Sequence, residues 1–195
     1  RQRQMCIRDR YTLSSLTATA GVRLENNSVY KRIVVPMAGL AYSYAPNKTL
    51  KATVSKGFRS PTMMELYLFA PNAGLKPEKM TNYEVGAMHE INLSNSSLSS
   101  VFESYSREIT FFYSKGDNII VTEGGWPGLV TRKNSGAFVN KGAELSTKMK
   151  TKLDVDININ YSYLFTDKVT LAAPKHMLNV DLIYYCLLYT SDAAD

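Results

Sequence analysis

Cysteine is almost missing from this chain of 195 residues. There are two, Cys6 and Cys186, and each lies within ten residues of an end. The stretch between them has no thiol, which excludes a disulfide framework, a paired-cysteine metal site and a thiol nucleophile. Two histidines, His89 and His176, stand far apart and in no metal-ligand spacing, and each reads as a surface residue. No GxSxG, P-loop, HExxH or GxGxxG occurs, and nothing clusters an acid, a base and a nucleophile, so no enzyme, cofactor or resident metal is expected. The glycine-rich GGWPG at 124–128 lacks the strand-to-helix setting of a phosphate cradle. No run approaches the ~18 apolar residues of a membrane helix. That excludes helical spans and leaves strands, whose alternation hides from such a test. A leader peptide is also lacking, and in a barrel reading the natural amino terminus then lies elsewhere.

The two ends differ from what lies between. RQRQMCIRDR opens with four arginines and no apolar rhythm, and CLLYTSDAAD breaks the preceding pattern. Both look like translated sequencing-adapter read-through, so residues 1–10 and 186–195 are expected to be non-native tails flanking a unit at 11–185. Without Arg1, Arg3, Arg8 and Arg10, and Asp9, Asp192 and Asp195, the 23 basic residues fall to 19 and the 17 acidic ones to 14, a net charge of +5. No Lys/Arg run is dense enough for a nucleic-acid partner.

What the chain does have is tyrosine, 13 of them, and period-two alternation. Val155, Ile157, Ile159, Tyr161, Tyr163 and Phe165 share one face, and Asp156, Asn158, Asn160 and Ser162 share the other. Eleven residues at ~3.4 Å suit a tilted bilayer crossing, with aromatic rings at one end of the apolar face. Weaker copies of this pattern run through 16–24, 40–44, 50–58, 83–87, 108–114, 142–146 and 178–184. Eight strands result. Tight turns are expected at Ala45–Lys48 and Lys150–Lys152, with long connections at 59–81, 116–136 and 166–176. Short and long links thus alternate sides, as periplasmic turns and outside loops do. The long, serine-rich 92–105 falls on the short side and reads as a frayed hairpin. No helix-period stretch of useful length is seen.

Three segments carry a family likeness: GFRSPTMMELY at 57–67, LKPEKMTNYEVG at 75–86, and the series FFYSKGDNII, NKGAELS, ININYSYLFTD and APKHMLNVDLIYY. Together they resemble the barrel of TonB-dependent receptors over about residues 16–185. The resemblance implies an all-β fold, an antiparallel transmembrane β-barrel present in part: about eight strands of a ~22-stranded wall, an open curved sheet in isolation. It also implies outer-membrane lipid around the wall in a Gram-negative bacterium. A TonB–ExbB–ExbD complex would be engaged through an amino-terminal part, and the cargo would be a small molecule such as a ferric chelate. Phe58, Pro61, Leu75, Pro77, Glu78, Tyr83, Glu84 and Gly86 match the family motifs as structural positions.

Pro61 ends the strand carrying Phe58, because it cannot donate to the ladder and restricts Ser60 before it. Arg59 alternates onto the polar face, within sequence reach of Glu65, Glu78 and Glu84. These residues read first as anchors holding a long loop to the wall. Substrate contact is the second reading, with Arg59, Glu65, Tyr67, Asn72 and Lys76 as candidates. In the next long loop Trp126 is placed to stack on an aromatic chelate while Arg132 and Lys133 meet its anion; the alternative is a packing Trp. For a haem receptor the resemblance implies a histidine in the loop after FRxP; residues 62–81 hold none, which disfavours haem. The expected function is active uptake of a metal chelate, either a ferric siderophore or cobalamin. The rivals are an oligosaccharide or peptide importer of the same family, a passive porin without these loop motifs, and a soluble β-sandwich whose apolar faces would meet as a core.

Overall fold

The computed structural model describes residues 2–27, 30–68, 70–93, 101–125, 130–167 and 174–185. Eleven strands and one short helix follow in order: β1 (Gln2–Leu13), β2 (Leu16–Asn27), β3 (Lys31–Ala45), β4 (Lys48–Arg59), α1 (Met63–Tyr67), β5 (Glu78–Asn92), β6 (Phe102–Asp117), β7 (Ile120–Glu123), β8 (Thr131–Asn134), β9 (Phe138–Thr151), β10 (Val155–Thr166) and β11 (His176–Tyr184). Nine of them form one open antiparallel sheet, each strand beside its predecessor, and β7–β8 is a separate hairpin between β6 and β9.

The eight expected strands are all present, as β2 to β6 and β9 to β11. Several features depart from the expectation, among them the short helix α1 within the 59–81 connection. Residues 2–13 pair with β2 along their whole length, from Gln2↔Asn27 to Leu13↔Leu16. The 116–136 connection is not a plain loop, because β7 and β8 pair within it. The second tight turn sits two residues later than the sequence indicates, at Lys152–Asp154. The Thr151 hydroxyl sets it, accepting from Leu153 and Val155 N–H and donating to the Val155 carbonyl. The serine-rich hairpin is paired up to Asn92↔Ser104; its apex, 94–100, lies outside the described residues. His176, read as a loop residue, begins β11, where it meets the Tyr161 hydroxyl at 2.8 Å.

Register turns alternation into continuous rows. One row crosses eight strands: Leu16, Tyr42, Leu50, Ala87, Ile109, Leu145, Tyr161 and Leu178. The next holds Leu40, Ala52, Val85, Phe111, Ala143 and Tyr163, and a third holds Ala38, Val54, Tyr83, Tyr113, Lys141 and Phe165. Charge brackets them. On β4 Lys48 lies below and Lys56 above, and on β6 Arg107 and Lys115 do the same. Eight residue steps cover about 27 Å along a strand and roughly 20 Å of height at the usual barrel tilt, near the height of a lipid band. Aromatic rings line the loop side: Tyr83 and Tyr113 lie 6.3 Å apart, and Lys141 stands 5.0 Å over Phe165.

This apolar face is uncovered. Val85 is 60% exposed and Phe111 56%, and the buried apolar residues among those described, Val35, Leu66, Leu75 and Phe138, sit toward the loop end of the sheet or in its loops. A soluble sandwich would bury one face of each sheet against the other, so that rival fails. The opposite face is polar and internally bonded: Lys51 pairs with Glu108 at 2.9 Å, Thr53 donates to Glu84 at 3.1 Å, and Ser146 donates to Asn160 at 2.8 Å. Phe112 breaks the alternation because it lies opposite Gly142, where a Cβ would come within 2.6 Å of its ring. Phe138 lies over Gly116 in the same way. An aromatic ring covering a cross-strand glycine fills the gap that the missing side chain leaves.

The two faces should answer differently to charge. In the complete barrel, Val85→Arg is expected to cost about 2–4 kcal/mol in lipid, and Thr53→Arg on the polar face roughly 1 kcal/mol or less. Denaturant unfolding in vesicles measures both; equal costs would overturn the assignment of faces.

Candidate functional site

β4 ends at Arg59 and the chain turns through Ser60 and the buried Pro61 into α1. Thr62 caps this helix. Its side chain accepts from the Glu65 N–H, and the Glu65 carboxylate returns to the Thr62 N–H at 2.7 Å. That reciprocal pair satisfies amides that would otherwise be unpartnered. Arg59 then grips both sides of the loop. Its Nε and Nη2 donate to Glu78 at 2.6 and 2.7 Å, and its Nη1 donates to both oxygens of Glu65 at 3.1 Å. Arg59 and Glu78 are also the last cross-strand pair of β4 and β5. One guanidinium therefore closes the mouth of the 60–77 loop with a charge-assisted fork.

The neighbouring hairpin is latched to this loop. The Ile120 N–H donates to Glu78 at 2.9 Å. Arg132 donates to the Met64 and Leu68 carbonyls, satisfying the carboxyl end of α1. Asn72 donates to the Arg132 carbonyl at 2.7 Å, and its own carbonyl oxygen accepts from Gly74 N–H. Asn134 makes three bonds: it accepts from Lys76 N–H and donates to the Lys76 and Asn118 carbonyls. Below, the Tyr30 hydroxyl donates to the carbonyl of Leu75, which is buried. Burial, then Tyr67 and Glu65, raise the Tyr30 pKa and keep that proton in place.

The structure thus brings together Arg59, Glu65, Asn72, Lys76, Glu78 and Arg132, though Lys76 joins only through its backbone. Glu84, expected within reach of Arg59, instead accepts from Thr53 on the polar wall. Tyr67 is exposed, as are Met63, Met64 and Leu68 around it, so α1 shows its apolar side outward. Lys133 pairs with Glu123 at 2.7 Å. Trp126 lies outside the described residues. Phe58 faces the apolar side opposite Lys79, Tyr83 belongs to the aromatic row, and Gly86 lies across from Thr110. Asn134, Ile120 and Tyr30 were not anticipated. A lone Asn in a polar loop, or a backbone amide, has no pattern to betray it. The TMME of the capping box was the one legible sign of α1. Among the described residues no group of three His, Cys, Asp or Glu is placed to hold a metal.

Burial of Glu65 opposes its ionisation, but the Thr62 N–H and the Arg59 guanidinium outweigh it and the pKa falls below the ordinary glutamate value. A depressed carboxylate contributes stability above its unfolded pKa and loses it as pH falls through the folded one. Amide exchange at Thr62 and Glu65 should accordingly stay slow at neutral pH and quicken in acid, below the ordinary carboxylate range. Exchange independent of pH, after correction for the intrinsic rate, would remove Glu65 from this role. Arg59→Ala should free the loop at a local cost of about 1–2 kcal/mol, discounted for exposure. The check is limited proteolysis within 60–77, where Arg59→Lys should protect only in part because it lacks the fork.

A family model described as "TonB dependent receptor-like, beta-barrel" matches residues 1–192. Among solved structures, the siderophore receptor PirA from Pseudomonas aeruginosa superposes with a TM-score of 0.73 at 20% identity, over 93% of this chain and 34% of that one. PirA from Acinetobacter baumannii gives 0.71 at 17% identity, over 94% and 31%. The FrpB iron transporter from Neisseria meningitidis gives 0.60 at 16%, over 85% and 25%. The chain therefore spans between a quarter and a third of these structures. No curated protein matches it in sequence.

Proposed function

The chain belongs to the TonB-dependent receptor β-barrel family, and from that membership we propose that it forms part of the wall and outside loops of an outer-membrane transporter for active uptake of a metal chelate. A ferric siderophore is the first choice of cargo and cobalamin the second. The observation that carries the reading is the pairing of an uncovered apolar belt, bracketed by charge, with two long loops locked into one body on a single side of the sheet. Lipid covers the belt, and the loop body faces the outside and meets the cargo. The named neighbours that bind siderophores or carry iron favour a chelate over an oligosaccharide or peptide. A passive porin has no need of this motif-built loop closure.

Within the loop body the candidate contacts divide into two groups. Arg59, Glu65, Asn72 and Arg132 are committed to internal bonds and act by holding shape. Tyr67 and Lys76 are exposed and are free to stack on and neutralise an anionic aromatic chelate. Trp126 is proposed as a further stacking partner. Energy comes from the inner membrane through the TonB–ExbB–ExbD complex, engaged by a part of the receptor outside this chain.

Chelate uptake by the receptor should vanish when TonB is removed, while binding at the cell surface persists; uptake that survives the loss would show a passive pore. Tyr67→Ala and Lys76→Ala should each weaken chelate binding about fivefold, roughly 1 kcal/mol, with the loop still protease-resistant. Equilibrium binding of radiolabelled ferric chelate to whole cells measures this, and unchanged affinity in both variants would exclude them as contacts.

A further inference from the structure

α1 is five residues long, Met63–Tyr67. One turn of helix is unstable alone in water, because the bonds it forms do not offset the ordering they require. Its two ends are closed in different ways. The amino end is closed from within its own loop, by the Thr62–Glu65 capping box and by Arg59 on the Glu65 carboxylate. The carboxyl end has no device of its own. No basic residue lies in the last turn, and the capping position is Leu68, extended at φ −126° and ψ 149°, where a left-handed glycine would commonly stand.

Closure comes instead from the neighbouring loop. Arg132 on β8 brings one nitrogen, Nη1, to two carbonyls of that end, Met64 at 2.7 Å and Leu68 at 3.1 Å. A cation there also suits the negative end of the turn. A second tie passes through the same residue. The Glu65 carbonyl accepts from the Asn72 N–H at 3.2 Å, and the Asn72 side chain donates to the Arg132 carbonyl at 2.7 Å. Leu66 is the buried residue of α1; Tyr67 is 56% exposed and Leu68 54%, so packing does not fix the end that carries them. The hairpin bearing Arg132 forms a sheet of its own and joins the wall through two left-handed residues, Asn118 and Gly136. The last turn of α1 and the β7–β8 hairpin thus meet at one side chain.

We propose that Arg132 is a positioning residue for cargo: the last turn of α1, and with it Tyr67, is ordered only while β7–β8 is docked against it. Tyr67 meets the cargo, and Arg132 acts through Tyr67 from a different loop. Coupling of this kind is reciprocal, so cargo held by Tyr67 tightens the docking of β7–β8 in return. This role rests on the reading of Tyr67 as a cargo contact given above, and adds the residue on which that contact depends.

Hydrogen exchange of the receptor carrying this chain, in outer-membrane vesicles, tests the positioning. Arg132→Ala should quicken exchange about tenfold at Leu68 and Asn72, whose N–H groups bond to Met64 and Glu65. The Glu65 N–H, bonded to Thr62 at the other end, should stay as slow as before. Arg132→Lys should restore protection, because a single donor nitrogen serves both carbonyls. Glu123→Gln, which breaks the Lys133 pair on the same hairpin, should change nothing. Equilibrium binding of a ferric tris-catecholate, as the anionic aromatic probe, tests the action through Tyr67. Arg132→Ala should weaken it about fivefold where Tyr67 is present and no further in Tyr67→Ala, and Arg132→Lys should recover it. Unchanged exchange at Leu68 in Arg132→Ala, equal loss of protection at Glu65, or losses that add in the double variant would overturn the proposal. If the unaltered receptor binds no tris-catecholate, that choice of cargo fails, and exchange at Leu68 alone decides whether Arg132 holds the turn of Tyr67.

Discussion

In hydrocarbon, no solvent is available to a backbone N–H or C=O, so every amide of a crossing segment needs a partner in the chain. The sheet is organised around that demand. Most neighbouring strands pair through almost their full length, β3 and β4 pair from Met37↔Ser55 to Ala45↔Lys48, and the β7–β8 hairpin is set aside beyond the band instead of breaking the order. Once pairing is obligatory, the side chains have only two places to go. One face becomes apolar over the height between Lys48 and Lys56, and the other keeps its glutamates, amides and hydroxyls. Among the described residues the sheet has no second layer packed on its apolar face, and a bilayer would take the place that such a layer has in a soluble domain.

Packing then adjusts what pairing leaves open. The aromatics on the polar face, Phe112 and Phe138, each cover a glycine directly across the ladder, so a position that departs from alternation is explained by its cross-strand partner. At the loop end the constraint changes from lipid to water, and fork-shaped charge pairs take over. Arg59 joins the last rung of β4 and β5 to the first turn of α1, and through Glu78 and Ile120 it reaches the next loop. The loops are thereby coupled to the wall by side chains that come from the ends of strands.

Much of the wall was legible from residues alone. β10 alternates without a fault over its exposed face, and the two-residue turn at Pro46–Asn47 is where its residue types place it. β3 is longer than its alternation shows, starting at Lys31 and not near Gly39, because Ile33, Val35 and Met37 are apolar on the otherwise polar face and hide the period. β7 and β8 are four residues each, too short to show any period. In the loop body the acidic partners of Arg59 could be named from sequence spacing, two of three correctly, but the latch through Asn134 joins positions 58 residues apart through main-chain groups. Such bonds depend on where loops meet in space, and no local pattern encodes that.

The place of Arg59 also bears on the order of assembly. Its guanidinium and the Glu78 carboxylate come into range only when β4 and β5 have zipped to their final rung. The 60–77 segment must therefore remain an open loop until the hairpin beneath it is complete, and closing it earlier would carry the full entropy of an unguided loop. The loop body is thus the last part of this unit to take shape, and a wall that stalls one rung short would leave the 60–77 loop open.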